Sequence, residues 1–383
     1  MTAKGQNPVR AIVQDRFGPP DVLRLSDTGL PEAGPDDVLV RVHAAALNPA
    51  DWHILRGDPL VARLMGVGLT RPKARVAGID AAGVVEAAGA NVRGLANGDD
   101  VLGFFRGAFA EYACAAADLV VPKPAALTFE QAAAVPIAAT TALRGIRDVG
   151  EVTAGQRVLV NGAGGGVGSY AVQIAAALGA EVTGVCSTRN IELVRSIGAA
   201  HVIDYTTDDF TGGRARYDVI LDNVSSLPLA RLRRALTPKG TLVLNGGGSP
   251  GHVFGPVAGI VRAVVANAFV SQRLRPLPSR QNREELLAVT GSSRTGSSRR
   301  LSTGRTPWPI RPRACATWSR GTRAARPSSP WREIGGCVRL ADAGHPLLGM
   351  YGRPEAPAAV RPRAERPDID SCRRNGTRSC GRS

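Results

Sequence analysis

From residue 9 to about 125 the apolar residues come in short runs broken by Gly, Pro and Asp: 38–44 with a period of two, then 83–89, 101–105 and 109–113. Runs of that length between turn residues predict strands, and the segment reads as a mostly β domain. Near residue 128 the pattern changes. Residues 129–150 are Ala-rich and predict helix, 156–160 predict a buried strand, and 167–178 predict a helix stopped by Gly179. Strand and helix then alternate. Strands are expected at 181–187, His201–Asp204, Tyr217–Asp222 and 240–245, and helices at 191–197, stopped by Gly198, and at 229–236. Such alternation with short connections predicts a doubly wound parallel sheet.

A chain of 383 residues has room for two domains, since single cores stop growing near about 250–300 residues. Its net charge of +16 suggests a nucleic-acid or membrane partner until it is mapped. Residues 1–290 carry 29 Lys and Arg against 26 Asp and Glu, whereas 291–383 carry 19 against 6. The basicity therefore belongs to the tail, whose cations are all Arg, without the interleaved aromatics of a stacking surface. No nucleic-acid partner is expected. The body holds Cys114 and Cys186 alone, which excludes a disulfide framework and suits a reducing cytoplasm. No membrane partner is expected either, because no run reaches about 18 uncharged apolar residues. The nearest, 254–270, is interrupted by Arg262 and is expected to pack inside or to line a pocket.

Directly after the strand at 156–160 comes Asn161-Gly-Ala-Gly-Gly-Gly-Val-Gly168. Glycines here let the backbone turn tightly, let a pyrophosphate approach, and let the following helix pack close to the strand. In the Gly-x-Gly-x-x-Gly pattern Ala163 takes the first slot, followed by Gly165 and Gly168. Gly162, Gly164, Gly165, Gly166, Val167 and Gly168 are the candidate phosphate cradle, at a helix N-terminus with free N–H groups. NAD-selective sites carry an Asp or Glu at the end of the next strand, about 20 residues on. This chain has Val185-Cys-Ser-Thr-Arg-Asn190 there. Ser187 and Arg189 suit a 2′-phosphate, so the expected cofactor is NADPH.

Taken with that loop, Phe17-Gly-Pro-Pro-Asp-Val-Leu23, Val38-Leu-Val-Arg-Val-His-Ala-Ala-Ala-Leu-Asn-Pro-Ala-Asp51, Gly78-Ile-Asp-Ala-Ala-Gly83, Gly98-Asp-Asp-Val-Leu-Gly103, Gly107-Ala-Phe-Ala-Glu-Tyr112 and Ala134-Val-Pro-Ile-Ala-Ala-Thr-Thr-Ala142 resemble the zinc-free branch of the medium-chain dehydrogenases/reductases, the quinone oxidoreductases and related enoyl reductases. The resemblance covers about residues 8–290. It implies an α/β protein with a GroES-like β-barrel catalytic domain over 8–125, a Rossmann domain over 126–265, a return toward the catalytic domain over 266–290, and a cleft between the domains. Zinc-dependent relatives carry Cys in the stretch matching Ala45–Asn48 and Gly-His-Glu where this chain has Gly78-Ile79-Asp80, so no metal is expected. By the same resemblance Asn48 and Asp51 line the cleft, His53 is a candidate proton relay, Thr140 and Thr141 touch the nicotinamide carboxamide, and Tyr205 packs at the adenosine end. The implied reaction is hydride transfer from NADPH to a quinone or enone. Metal-free alcohol or carbonyl dehydrogenation, or cofactor binding without turnover, are the alternatives. Relatives pair through the edge of the nucleotide domain's sheet, which makes a homodimer possible.

The tail departs from this family. Glu284-Glu-Leu-Leu-Ala-Val-Thr290 begins a helix and then becomes Gly291-Ser-Ser-Arg-Thr-Gly-Ser-Ser-Arg-Arg300. With GC-rich codons, 291–300 can be read one frame over as Leu-Ile-Glu-Asp-Gly-Lys-Leu-Thr-Pro, and 305–331 as a peptide ending Gly-Lys-Ala-Val-Ile-Thr-Val, the type of strand on which relatives finish. Residues 291–383 are thus expected to be a frameshifted, disordered tail.

Overall fold

The computed structural model describes residues 8–58, 60, 63, 67–245, 263–291, 331–334 and 337–340. All of them belong to one compact unit, residues 1–350; residues 351–383 lie outside the described part.

Strands β1 (Val9–Val13) and β2 (Arg24–Thr28) form an antiparallel pair. Next to it lies an antiparallel sheet centred on β3 (Asp37–Ala46), with β4 (Asp80–Ala88), β5 (Asp100–Phe104), β6 (Tyr112–Ala116) and β7 (Val120–Pro122). Inward positions of these strands supply a core of Val38, Val40, Ala81, Val85, Val101 and Phe105. The strand expected at 109–113 starts later, at Tyr112. Phe109 instead serves the turn, its carbonyl accepting from Ile12 N at 2.8 Å. Helix α1 (Pro49–Arg56) leaves the end of β3 and stops at Gly57, which is left-handed at φ 59°.

The helix expected over 129–150 is broken. Its first piece, α2 (Phe129–Ala133), is closed by a reciprocal Thr128/Gln131 cap. Pro136, which has no N–H to give to a preceding turn, opens α3 (Pro136–Leu143) instead. A wider turn, Arg144–Val149, follows.

Beyond it the alternation holds. β8 (Arg157–Asn161), α4 (Gly166–Ala177), β9 (Glu181–Cys186), α5 (Ile191–Ser196), β10 (His201–Asp204), β11 (Tyr217–Asp222), α6 (Leu229–Arg234), β12 (Leu236–Leu244) and β13 (Arg273–Pro276) follow in the chain. Their strands form one parallel sheet in the order β10-β9-β8-β11-β12-β13, the doubly wound Rossmann order with its switch point between β8 and β11. Two expectations shift. The helix at 229–236 ends at Arg234, because Leu236 already pairs with Tyr217 and Ala235 O accepts from Tyr217 N at 2.8 Å. And β13 adds a strand to this sheet from beyond the expected boundary at 265. The expectation for 254–270 falls outside the described residues as far as 262; past that, Ala263 is buried, but Val264, Val265 and Phe269 are exposed, Phe269 at 84%.

Helix α7 (Arg283–Thr290) closes the junction. Asn282 caps it by accepting from Glu284 N at 2.8 Å and Glu285 N at 3.2 Å. Inside, Arg144 and Glu285 form a fully buried ion pair, and the Arg144 guanidinium also donates to Pro278 O at 2.6 Å and Arg280 O at 2.9 Å. Arg283 reaches the other way, to Ala117 O at 2.8 Å. One core therefore runs through both sheets, from Ala46 and Phe104 to Val158 and Leu286.

Two short segments of the tail, 331–334 and 337–340, are described. β14 (Trp331–Ile334) and β15 (Cys337–Leu340) form an antiparallel hairpin, with Cys337 opposite Ala46 and Val338 opposite Ala45. The reason lies in β3. β6 covers it only from Asp37 to Arg41, which leaves the edge at Ala45 and Ala46 to be paired by other backbone. Among the described residues no helix is long and apolar enough to cross a membrane.

Candidate active site

The glycine loop joins β8 to α4 at the switch point, where doubly wound sheets bind their ligands. Gly162 has φ +79°, a left-handed conformation that favours glycine. A Cβ on Gly168 would collide with the carbonyl oxygen of Gly162, so strand and helix meet at a distance only glycine permits. Ala163 fits the first slot because its methyl is fully buried opposite Gly184 of β9; a Cβ added to Gly184 would lie 3.0 Å from it. The loop turns by Gly165 N donating to Gly162 O at 3.0 Å, with Gly165 as the N-cap of α4. At such a start the N–H groups of Gly166, Val167 and Gly168 have no partner within the helix and suit an anion.

The expected adenosine residues cluster beside this loop. Ser187 caps a short turn, Thr188–Asn190, and its Oγ accepts from Asn190 Nδ2 at 3.4 Å. Arg189 is exposed, and Tyr205 is 54% exposed with its backbone N donating to Cys186 O at 3.1 Å. Sequence reasoning missed Asp204, just before Tyr205. Its carboxylate accepts from the hydroxyls of Thr188 and Thr206 and from Thr206 N at 2.9 Å. Those bonds, the one from Thr188 foremost, hold it below the usual carboxylate range. It also missed Asn190, whose amide a Cβ on Gly164 would meet at 2.5 Å. A third group lies where β8, β11 and β12 end. Asn161 donates to Asp222 Oδ1 at 2.8 Å, Asn223 to Asn161 O at 3.0 Å and Asn245 to Asn223 Oδ1 at 2.8 Å.

At the cleft end, Asn48 N-caps α1. Its backbone N–H donates to Asp51 Oδ2 at 2.8 Å, while its side-chain Nδ2 donates to Asp80 Oδ2 at 3.1 Å. Asp80 was quoted within Gly78–Gly83 but not singled out, although a lone carboxylate in an apolar strand is the signal that marks it. It is fully buried on β4 and also accepts from Ile137 N, at the start of α3, at 2.9 Å. Next along α3, Ala138 lies 3.6 Å from where a Cβ on Gly166 would be. The start of α3 thus touches both the Asn48–Asp80 pair and the phosphate loop.

Two expected roles change. Asp51 does not line a cleft: it is 5% exposed and caps Asn48, and burial pushes its carboxyl up to about 7. Thr140 is 1% exposed, with its hydroxyl donating to Pro136 O at 2.6 Å, so it serves the helix. His53 is half-buried with Nδ1 2.9 Å from Asp58 O; a carbonyl can only accept, so Nδ1 is the donor of this bond. Thr141 is partly exposed. Burial, with the charge of Asp51, raises Asp80 well above its ordinary value.

With Ala45 to Asn48 and Ile79 in place of thiolate and imidazole, these side chains do not make a zinc donor set. Among the described residues no three His, Cys, Asp or Glu side chains are grouped to hold a metal.

The alcohol dehydrogenase GroES-like domain family matches residues 34–125, and the zinc-binding dehydrogenase family 166–267. The 2-methylene-furan-3-one reductase of Solanum lycopersicum is 34% identical over 68% of this chain, which spans 66% of that enzyme's length. The structure of a quinone oxidoreductase from Coxiella burnetii superposes with a TM-score of 0.64 at 32% identity, covering 74% of this chain and 87% of the other. A mycobacterial protein solved in complex with NADPH superposes with a TM-score of 0.60 at 28% identity, over 74% and 83% of the chains. Motifs, strand order and relatives agree, and the chain belongs to the quinone-oxidoreductase-like group of the medium-chain dehydrogenases/reductases, a family of nicotinamide-dependent oxidoreductases.

Proposed function

We propose that this chain reduces a quinone, or an alkene conjugated to a carbonyl, with NADPH and without a metal ion. The observation that carries the reading is the adenosine end of the crevice. Ser187 and the exposed Arg189 stand there, while both oxygens of Asp204 are taken by Thr188 and Thr206. That arrangement suits a 2′-phosphate and withholds the carboxylate that ribose hydroxyls would need. The mycobacterial relative in complex with NADPH supports the same choice, and the names of the tomato and Coxiella proteins support the acceptor class.

When bound, the cofactor supplies the hydride. The chain's own work is to hold and orient. The N–H groups of Gly166, Val167 and Gly168 receive the phosphates, and Asn48 presents its second amide N–H to the acceptor oxygen. An acceptor that is already electrophilic suits a cleft whose residues make no Lewis-acid site. His53 Nε2, turned from the Asp58 carbonyl, is the group through which a proton moves. The free thiols Cys114 and Cys186 fit a reducing compartment such as the cytoplasm. The outer edge of β13, beside exposed Val264, Val265 and Phe269, fits pairing of two copies.

NADPH oxidation against a panel of quinones and enones, beside fluorescence titration with NADPH and NADH, tests this. Turnover with NADPH, and much weaker NADH binding, is expected; equal affinity for the two would sink the argument from Ser187 and Arg189. A second reading, binding without turnover, is favoured by the break after Thr290, and titration without turnover would establish it.

A further inference from the structure

Asp80 is a fully buried acid that no expected role used. It lies on a strand paired on both sides, with Ala46 of β3 and Phe104 of β5 opposite it, and its side chain has no access to solvent. Its hydrogen bonds are lopsided. Oδ2 accepts twice, from Ile137 N at 2.9 Å and Asn48 Nδ2 at 3.1 Å. Oδ1, equally buried, has no hydrogen-bond partner among the described residues. A carboxylate has two equivalent oxygens, both strong acceptors, and burying one without a donor is costly. A neutral acid also leaves that oxygen without a partner, but an unpaired hydroxyl costs far less to bury than an unpaired negative charge. The surroundings agree. No cation pairs with Asp80 among the described residues; α3 carries no titratable group, β3 and β5 place Ala46 and Phe104 opposite it, and the charged group that faces it is Asp51 of α1, a like charge.

We propose that Asp80 is a positioning residue for the reduction, a neutral carboxylic acid whose carbonyl oxygen fixes the Asn48 amide against the start of α3. Resting on the function proposed above, this explains how Asn48 is aimed. One amide N–H is taken by Asp80, the rotamer is thereby set, and the second N–H is left in one direction, toward the acceptor oxygen. Ile137, on the same oxygen, ties that direction to the helix that packs against the phosphate loop. Asp80 keeps Asn48 and the cofactor loop in register without adding a second negative charge beside Asp51.

Two substitutions separate a neutral acid from a carboxylate. Asp80→Asn keeps a carbonyl oxygen for Ile137 and Asn48, so kcat is expected to stay within about threefold of the parent. Asp80→Ala removes the acceptor and is expected to lower kcat about tenfold, at an unchanged Kd for NADPH, as loss of one buried hydrogen bond implies. Asp80→Asn as damaged as Asp80→Ala would show that charge is required, and full activity in both would show that no positioning is needed; either overturns the proposal. A readout free of turnover is the infrared difference spectrum, at pH 7, of Asp51→Asn against the Asp51→Asn/Asp80→Asn double variant, which differ in the Asp80 carboxyl alone. The C=O stretch of a protonated carboxylic acid is expected in Asp51→Asn and not in the double variant, and its absence overturns the proposal even if Asp80→Ala fails to fold. A parent that binds NADPH but reduces no quinone or enone would remove the proposed function and leave the infrared band to decide on Asp80.

Discussion

The two ends of the binding crevice treat their carboxylates in opposite ways. At the adenosine end, Asp204 receives hydroxyl and backbone donors from Thr188 and Thr206, which hold it below the usual carboxylate range. At the cleft end, Asp51 and Asp80 are buried with few donors, and desolvation raises both. The same functional group is thus an ion in one place and leans toward the neutral acid in the other, decided by the supply of hydrogen bonds against the loss of water. The adenosine end sequesters its negative charge in local bonds and leaves Arg189 open to an anion. The cleft end suppresses its charge and keeps hydrogen-bond geometry.

The largest effect that sharpens this contrast lies between the two ends, in the loop they share. Gly168→Ala drives a Cβ into the Gly162 carbonyl, and the strand–helix spacing must open. NADPH affinity is expected to fall about 100-fold, or about 2.7 kcal/mol, by fluorescence titration. Gly29→Ala, far from the loop in sequence, is the control. Nothing lies within 4 Å of its added Cβ, and affinity should stay within about twofold. Equal losses in the two variants would mean that the loop is not held by the Gly168 contact.

Next in size is the adenosine end itself. Arg189→Ala removes the charge-assisted bond proposed to the 2′-phosphate and is expected to weaken NADPH about tenfold, in line with about 1.5 kcal/mol for such a bond. NADH binding should not change. If both cofactors weaken alike, Arg189 is an ordinary solvated cation and the contrast between the ends loses its functional meaning.

How far the sequence carried these conclusions differs between the same two ends. The parallel sheet and its glycine loop were readable because each rests on local rules: strand, tight turn and helix follow one another in the chain from 157 to 177. The placing of Ser187 and Arg189 after β9, and of Tyr205 after β10, follows from the same local rules, while their role toward the cofactor is a proposal. The cleft end joins positions 48, 80 and 137, brought together by a β3–β4 pairing and a helix start that periodicity does not encode. Asp51 and Thr140 were misplaced on this account. A capping Asp at the third position of a helix, and a Thr bonded to the carbonyl four residues back, look the same in sequence as residues facing a ligand. Composition says that the tail lacks a core of its own, and it carries no signal that residues 337–338 pair with Ala45 and Ala46 of β3.

The smallest effect, and the most direct test of the contrast, is the sign of two pH dependences. The folded-state pKa of Asp51 is raised to about 7, from an unfolded value of about 3.9, so the native state binds the extra proton. Its contribution to stability is then fully present below about pH 4, is lost as pH rises to about 7, and changes no further above. Asp51→Asn cannot ionise, yet keeps an oxygen to accept from Asn48 N. It should melt with the parent at pH 4 and above it at pH 8. Asp204 has the opposite sign. Its pKa is lowered, so its contribution is present above its unfolded value and is lost as pH falls through the folded one. Asp204→Asn should therefore melt below the parent at pH 8, with the gap closing toward pH 3. Thermal melts across that range decide the matter: two variants that shift in the same direction at pH 8 would mean that desolvation and hydrogen-bond supply do not divide the two ends as described.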